Sequence, residues 1–365
     1  MRPNTYMEVG AVGYVELHLH TEYSLLDGSI KIPDLISTIK DRGQKAVAIT
    51  DHGWMAGVVK FVKKAKEAGI KPIIGCEFYW CIDRHNKAIT FDDGYGDEWP
   101  GARARYEEQQ KTKGKKKAKG AEEKDKKADD GSNNPGSKLK TSFHLIGLAM
   151  NKTGYANLGR LTSLAHTEGY YFKPRIDKEL VERYHEGILW LPACIGGYIQ
   201  QLLLNASNGR VKAEQEIDWW LNLVGNRFIL EVQYHGMPEE AEVIDFFKGI
   251  SVRRGIPIVA TNDAHYIYRE DALAHDALLC IQTGSYIGKK SRMRFPNDEF
   301  YMRTEEEMLA VMGQFGLEVA VYNTGIISDW IEDGLVEFGN SRLPDFKVPE
   351  DDWKFNMYRR TGVIL

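Results

Sequence analysis

The sequence lacks the features that would place the protein in a membrane or outside the cell. No apolar run in the 365 residues approaches the length of about 18 that a transmembrane helix requires. Residues 1–14 also lack the basic and apolar regions of a secretory signal. The four cysteines are too few and too irregularly spaced for a disulfide framework. We therefore expect a cytoplasmic protein with reduced cysteines and no membrane partner.

The chain also has little net charge, but this charge is unevenly distributed. The formal net charge is −4, whereas residues 103–140 hold 13 Lys and Arg against 7 Asp and Glu, a local charge of +6. The rest of the chain is therefore mildly acidic, which excludes a protein that coats duplex DNA by charge alone. The Lys-rich tract is low in complexity and nearly free of apolar residues. It predicts a disordered insert at about 103–141 that acts as a solvated tether or holds single-stranded DNA electrostatically.

Short apolar runs alternate with amphipathic stretches through most of the remaining sequence, which is typical of parallel βα units. Seven strands are predicted, at 14–18, 46–50, 71–80, 142–149, 187–193, 227–233 and 257–261. They favour an α/β barrel over residues 14–282, with an open doubly wound sheet as the alternative, because periodicity does not reveal closure. Residues 1–13 are an N-terminal extension, 283–350 form a helical linking segment, and 351–365 are a tail.

Metal-ligand side chains recur where the predicted strands end. His18 and His20 flank one residue of the first strand, so both imidazoles lie on the same face. Since the C-terminal ends of parallel strands meet at one end of an α/β barrel, we expect these side chains to converge. The nine candidates are the imidazoles of His18, His20, His52, His144 and His265, the carboxylates of Asp27, Glu77 and Asp263, and the thiol of Cys194.

This combination of ligands indicates a particular chemistry. Imidazole, carboxylate and thiolate together suit Zn²⁺, Mn²⁺ or Fe²⁺ better than Mg²⁺ or Ca²⁺. Nine candidates exceed a single tetrahedral site, so the sequence predicts two to three divalent ions bridged by carboxylates. Such clusters polarise a phosphoryl oxygen and generate hydroxide at neutral pH. Hydrolysis of a phosphoester is therefore predicted, with a catalytic set of His18, His20, Asp27, His52, Asp263 and His265.

The segments that carry these residues resemble a known family. YVELHLHTEYSLLDG, AITDHG and GCEFYW are similar to the start of the bacterial DNA polymerase III alpha subunits, which is a PHP (polymerase and histidinol phosphatase) domain. FHLIGLAMNKTGYANLGRLTSLAH, GYYFKPRID, LPACIGG and IVATNDAHY continue the resemblance in order, and RFPNDEFYMRTEEEM and RLPDFKVPED resemble the segment that leads to the palm domain. The resemblance implies a distorted (βα)7 barrel with a trinuclear metal centre held by the same nine residues. It further implies a 3′–5′ exonuclease acting on DNA.

The sequence departs from this family in one respect. It ends at Leu365 without the paired-aspartate motif and the Gly-Ser-rich motif that the family's polymerase activity requires. We therefore expect no polymerase activity from this chain alone, with the palm and fingers on a separate chain or missing downstream, and other replisome subunits as further partners. Two alternatives to a nuclease stay open. One is a stand-alone phosphatase acting on a small phosphomonoester, and the other is a non-catalytic scaffold that stabilises the polymerase or binds a proofreading subunit.

Four further residues are assigned candidate roles. Tyr171, Lys173 and Arg175 in GYYFKPRID are candidates for binding a substrate phosphate, with a surface loop as the alternative. Asp51 is a candidate to orient His52 from behind the metal ligands, or else to cap the following helix. The remaining histidines have no ligand-like partner nearby in sequence and are interpreted as ordinary surface or core residues: His85, His166, His185, His235 and His275.

Overall fold

The computed structural model describes residues 13–86 and 142–339. The predicted Lys-rich insert and residues 340–365 lie outside this range. The elements below belong to one compact unit, Met1–Leu335, and a second unit, Val336–Leu365, is described only at residues 336–339. No helix within the described residues is long and apolar enough to cross a membrane.

The described residues contain seven β-strands and ten α-helices. The strands are β1 (Ala46–Ile49), β2 (Lys71–Trp80), β3 (Phe143–Ala149), β4 (Arg175–Ile176), β5 (Ile188–Leu191), β6 (Leu230–Val232) and β7 (Ile258–Ala260). The helices are α1 (Ile32–Asp41), α2 (Val58–Ala68), α3 (Lys152–Thr167), α4 (Lys178–Tyr184), α5 (Tyr198–Asn205), α6 (Gly209–Val224), α7 (Pro238–Arg254), α8 (Ala272–Gln282), α9 (Glu305–Gly313) and α10 (Glu318–Trp330).

Backbone hydrogen bonds join these strands into a closed ring. One sheet has the order β1-β2-β3-β5, with β4 paired to β2, and β6 pairs with β7. The extended segment around Leu19 closes one gap, because Thr50 N–H donates to the Leu19 carbonyl and His20 N–H donates to the Ala264 carbonyl, both at 2.9 Å. Ile229 N–H donates to the Trp190 carbonyl at 3.0 Å and closes the other. The predicted α/β barrel is confirmed, and the open sheet is not the fold.

Strand β3 runs against its neighbours, which the sequence analysis did not anticipate. It pairs antiparallel with both β2 and β5, whereas β1 with β2 and β6 with β7 are parallel. A reversed strand presents its N-terminal end where the other strands present their C-terminal ends. His144, the second residue of β3, therefore reaches the same end of the barrel as residues that follow parallel strands. The prediction of uniformly parallel strands was wrong at this one position.

Apolar side chains fill the barrel, and helix α10 covers the end opposite His144. Alternate residues of the strands, such as Ile73, Ile146 and Leu189, form one buried cluster with Ile327 of α10. Lys71 Nζ at the start of β2 donates to the Ser328 carbonyl at 2.7 Å, which fixes the helix against the strand beginnings. Burying apolar surface stabilises the fold by about 25 cal/mol per Å². One end of the barrel is thereby sealed, and the polar side chains collect at the other.

Candidate metal centre

All nine predicted ligand residues lie at the end of the barrel away from α10. The extended segment before α1 carries His18 and His20, and the tight turn that follows carries Asp27. In this turn the Gly28 N–H donates to the Ser24 carbonyl at 2.7 Å, and a Cβ on Gly28 would lie only 2.0 Å from the Thr21 carbonyl oxygen. The remaining ligands lie on β2 or β3 or just after β1, β5 and β7: His52, Glu77, His144, Cys194, Asp263 and His265.

Glu77 occupies the middle of the cluster. One carboxylate oxygen lies 2.8 Å from His144 Nδ1, and the other lies 2.5 Å from His52 Nδ1. His18 and His20 approach the same carboxylate at 3.5 and 3.4 Å. Three sets of ligand atoms each lie within 4.8 Å of one another, and Glu77 and His20 each belong to two of them: His18, His20 and Asp263; His20, His52 and Glu77; and Glu77, His144 and Cys194. Of these two residues, Glu77 can bridge two ions, because its carboxylate has two oxygens, whereas His20 has only Nε2 free for one ion.

Asp263 is the second centre of the cluster. Its Oδ1 lies 3.1 Å from the Nε2 atoms of both His18 and His20, and 3.2 Å from Nε2 of His265. Asp27 joins the cluster from the side, with Oδ1 3.4 Å from Nε2 of His52. Cys194 lies at the opposite side, where its Sγ is 3.3 Å from Nδ1 of His144. No predicted ligand stands apart from the others.

Six of the nine ligand residues are buried, and six have buried ligand atoms that lack a hydrogen-bond partner. An unpaired buried polar atom costs free energy, so such atoms are rare unless an ion or water satisfies them. Several of them converge here, and divalent cations at these positions would satisfy them together. The donor set suits Zn²⁺, Mn²⁺ or Fe²⁺. Several of these atoms lie close to one another, but none of the following buried ligand atoms has a partner in hydrogen-bond geometry: His18 Nε2, His20 Nε2, Asp27 Oδ1, His52 Nδ1, both carboxylate oxygens of Glu77, and Asp263 Oδ1.

The electrostatics of the cluster keep its carboxylates ionised. Burial alone would raise the pKa of Asp27, Glu77 and Asp263, but the surrounding imidazoles outweigh burial and hold each pKa below its ordinary value. Burial likewise opposes the charged form of His52, yet Asp27 and Glu77 raise its pKa to about 10. Burial, together with His52 and His265, lowers the pKa of His20 to about 3. The ionised carboxylates and the neutral imidazole of His20 are in the forms that bind metal ions, whereas His52 must lose its proton to bind one.

A second layer of hydrogen bonds orients His18. Its Nδ1 lies 2.8 Å from Oε1 of Glu231, a fully buried residue of β6. The same oxygen accepts the hydroxyl of Thr261 at 2.6 Å and the amide of Gln233 at 3.1 Å. Glu231 was not among the residues predicted from the sequence. Glu231 could have been found as the acidic residue in the otherwise apolar run FILEV. A charged residue in a buried strand is rare unless it has a polar partner.

Asp51 also lies in this second layer, although it does not contact the His52 side chain by a hydrogen bond. It accepts the backbone N–H of Thr21 at 2.7 Å and the hydroxyl of Ser24 at 2.8 Å. Ser24 Oγ in turn lies 3.0 Å from His20 Nδ1 and accepts the N–H of His52 at 3.2 Å. Asp51 is therefore connected to His20 and His52 through Ser24. It does not cap the following helix, since α2 begins after Gly57.

The predicted phosphate-binding residues occupy different environments. Lys173 lies at the accessible side of the cluster, with Nζ 3.4 Å from the Tyr79 hydroxyl and 5.0 Å from the centre of its ring. The Tyr79 ring stacks on His52 at 5.7 Å. Tyr171 forms a bridge with Lys173 and lies under the Arg175 guanidinium at 5.4 Å. Of the three, Lys173 is the residue connected to a predicted ligand, through the Tyr79 ring that stacks on His52.

Arg175 differs from the expectation that it faces the substrate. It is 1% exposed, and its guanidinium donates to the backbone carbonyls of Gly169, Arg84 and Asn86 at 3.0, 2.7 and 3.0 Å. A guanidinium that binds three carbonyls in the interior joins loops together. We therefore assign Arg175 a structural position and do not include it in the proposed substrate site.

The substitution Arg175→Lys should distinguish a structural role of Arg175 from a role in binding the substrate. Lysine keeps the positive charge but lacks the planar guanidinium, so it cannot donate to all three backbone carbonyls. We therefore expect the free energy of unfolding to fall by about 2 kcal/mol. The KM for a phosphoester should stay unchanged. Urea unfolding and steady-state kinetics measure the two quantities, with the exposed Arg183→Lys as the matched control. A raised KM at unchanged stability would return Arg175 to the substrate site.

His275 is a further residue that the sequence analysis set aside. It is buried, and its Nε2 lies 2.7 Å from the Asp27 carbonyl oxygen, which is also 3.0 Å from His265 Nδ1. Helix α8 is thereby attached to the turn that carries Asp27. The other four set-aside histidines take no part in the ligand contacts described above: His85, His166, His185 and His235.

Comparison with known proteins agrees with this geometry. The sequence profile of the PHP domain matches residues 16–235. The DNA polymerase III subunit alpha of Borreliella burgdorferi is 38% identical over 336 residues, covering 92% of this chain and 25% of that protein. The subunit of the same name from Thermus aquaticus is 38% identical over 349 residues, covering 92% and 24%. The chain thus spans about a quarter of the length of these relatives.

A solved structure is weakly similar overall. It is described as a putative metal-dependent phosphoesterase from Bifidobacterium adolescentis, with a TM-score of 0.35 and 15% sequence identity over 82% of this chain and 96% of that chain. The family assignment depends instead on the profile match, which covers more than half of the 365 residues. The chain belongs to the PHP domain family.

Proposed function

We propose that this chain is the metal-dependent phosphoesterase domain of a bacterial DNA polymerase III alpha subunit and removes nucleotides from the 3′ end of DNA. The observation that carries the proposal is the convergence of nine ligand-type side chains, six of which have buried ligand atoms without a hydrogen bond. The names of the relatives support DNA as the substrate, the cytoplasm as the location, and a polymerase core and other replisome subunits as partners.

The chain's own residues define how a substrate approaches. His18 and His20 are fully buried and form the floor of the cluster, whereas the side chains of His52 and His144 are 10% and 27% exposed. A phosphodiester therefore enters past His52 and His144. Lys173 lies on that side beside Tyr79 and supplies positive charge for a phosphate.

Two to three divalent ions held by the nine residues would polarise the phosphoryl oxygen and lower the pKa of a bound water. Glu77 and Asp263 hold negative charge at the centre of the cluster, and Glu231 and Asp51 restrict the orientation of the imidazoles. Water adds to phosphorus and the 3′ oxygen of the preceding nucleotide leaves. The products are a nucleoside 5′-monophosphate and a DNA strand with a new 3′ hydroxyl.

Purified protein should contain two to three ions of zinc, manganese or iron per chain, because nine ligands exceed the needs of one ion. Elemental analysis of the dialysed protein measures this number. Chelation should remove the ions and lower the thermal unfolding midpoint, since a ligand that binds only the folded state stabilises it. At most one ion per chain, after refolding with Zn²⁺ or Mn²⁺, would contradict the prediction.

The nuclease is tested on single-stranded DNA labelled at its 5′ end. Wild-type protein in Mn²⁺ or Zn²⁺ should produce a ladder that shortens from the 3′ end, and a chelator should abolish it. A small phosphomonoester such as histidinol phosphate is offered in parallel. Faster turnover of the phosphomonoester would favour the stand-alone phosphatase. No turnover of either substrate by a metal-loaded protein would favour the scaffold.

A further inference from the structure

A surface beside the metal centre combines exposed apolar side chains with positive charge. Leu273 and Ile281 lie eight residues apart on α8 and are 70% and 75% exposed. Eight residues are slightly more than two helical turns, so both lie on one face of the helix. The following loop adds two more exposed side chains and two lysines. We call this set the α8 surface: Leu273, Ile281, Tyr286, Ile287, Lys289 and Lys290.

The loop that carries Tyr286 is held in a defined shape. The side chain of Arg292 is only 2% exposed, and its two terminal nitrogens each donate to the Asp276 carboxylate of α8 at 2.5 Å. Its Nε also donates to the Ile287 carbonyl at 3.3 Å. Tyr286 and Ile287 are nevertheless 67% and 52% exposed. A structured loop that directs its apolar side chains into solvent marks a binding surface.

The opposite face of α8 rests on the metal centre. His275 contacts the Asp27 carbonyl, as described above, and its ring lies 5.8 Å from that of His265. Phe295, which follows the loop directly, packs against His265 at 4.8 Å and against His275 at 4.7 Å. The α8 surface is therefore attached to the ligands Asp27 and His265 through a single layer of side chains.

We propose that the α8 surface binds single-stranded DNA beside the metal centre. Residues 284–297 contain four basic side chains and no acidic one, in a chain whose remainder outside the Lys-rich tract is acidic. Arg292 is occupied by Asp276, so Lys289, Lys290 and Arg294 supply charge for phosphates. The exposed aromatic ring of Tyr286 beside these cations suits an unstacked base, since bases stack on any aromatic face. The inference deepens the proposed function by naming where its substrate strand binds.

The experiment measures binding separately from cleavage. The full chain is titrated into a fluorescent oligothymidylate in a chelator, and anisotropy reports the dissociation constant at several salt concentrations. Tyr286→Ser should raise that constant about tenfold, as expected for the loss of one base stack. Lys289→Ser with Lys290→Ser should reduce the slope of log affinity against log salt by about 1.4, or 0.7 per phosphate contact. The matched controls are Val252→Ser on α7 and Lys63→Ser with Lys64→Ser on α2, all exposed.

A second readout locates the strand directly. An oligonucleotide containing 5-iododeoxyuridine is photo-crosslinked to the wild-type protein, and the modified peptide is identified by mass spectrometry. We expect the cross-link in residues 283–294. Unchanged affinity and salt slope in the α8-surface variants, with cross-links elsewhere, would overturn the inference and leave the surface to a protein partner. Because these assays need no cleavage, loss of the nuclease proposal alone would not change their outcome.

Discussion

Asp263→Asn should reduce nucleotide release from single-stranded DNA at least about a thousandfold. Asp263 Oδ1 lies within 3.2 Å of His18, His20 and His265, so one neutral oxygen would replace the charge that three imidazoles surround. Metal-assisted charge stabilisation is worth several kcal/mol in the transition state, and about 4 kcal/mol corresponds to a thousandfold in rate. The loss should appear in kcat as well as in kcat/KM, because the charge positions the reacting groups.

The variant should still fold, which makes the measurement interpretable. Asp263 adopts a left-handed conformation with φ of 47°, and asparagine is one of the few residues that accepts this conformation. The thermal unfolding of the chelated variant should therefore stay close to that of the chelated wild type. Asp245→Asn, an exposed change on α7, is the matched control and should keep full activity. Equal rates in wild type and Asp263→Asn would identify the nuclease as a contaminant and favour the scaffold.

Six of the seven predicted strands are present and pack on both faces, whereas the segment predicted as the first strand, 14–18, is extended but is not one of the strands of the barrel. Runs such as IKPIIGCEFYW have a continuous apolar pattern, and β2 extends over Lys71–Trp80 as predicted. The direction of β3 was not predictable, because some sixty residues separate it from β2 and a connection of that length allows either orientation. The two-residue strand β4 is too short to show the alternation of apolar and polar residues that predicts a strand. It is a strand because it pairs with the end of β2.

The metal ligands could be predicted from the sequence, but the residues that form hydrogen bonds to them could not. Metal ligands are recognised by residue type at strand ends, and His144 qualified even though its strand is reversed. Second-layer residues depend on contacts between distant parts of the chain. Glu231 and His18 are 213 residues apart, and His275 and Asp27 are 248 apart. Arg175 is the opposite case. It was predicted to bind phosphate because it is basic and lies between ligand segments in sequence, but it donates to backbone carbonyls that only the folded chain brings together.

Glu231→Ala should weaken metal binding about ten- to a hundredfold, which is the usual cost of removing the partner of a ligating histidine. His18 binds a metal ion through Nε2 only when Nδ1 carries the proton. Oε1 of Glu231 lies 2.8 Å from Nδ1 and accepts the hydrogen bond of that N–H. Without the carboxylate, the tautomer and the ring orientation of His18 are no longer fixed. Glu231→Gln keeps an acceptor oxygen for the imidazole but not the negative charge, so its affinity should fall between those of wild type and Glu231→Ala.

The measurement is a competition between the apoprotein and a chelator of known affinity for Zn²⁺ or Mn²⁺, which reports metal binding without activity. Glu216→Gln is the matched control, because Glu216 is a buried glutamate whose partner is Lys178 at 2.7 Å rather than a metal ligand. It should lower stability without changing metal affinity. A loss of metal affinity in Glu231→Gln cannot come from packing, because glutamine fills almost the same space as glutamate. If Glu231→Ala lowers only the unfolding midpoint and metal affinity stays at the wild-type value, Glu231 is a structural residue and the orientation of His18 depends on the metal ion alone.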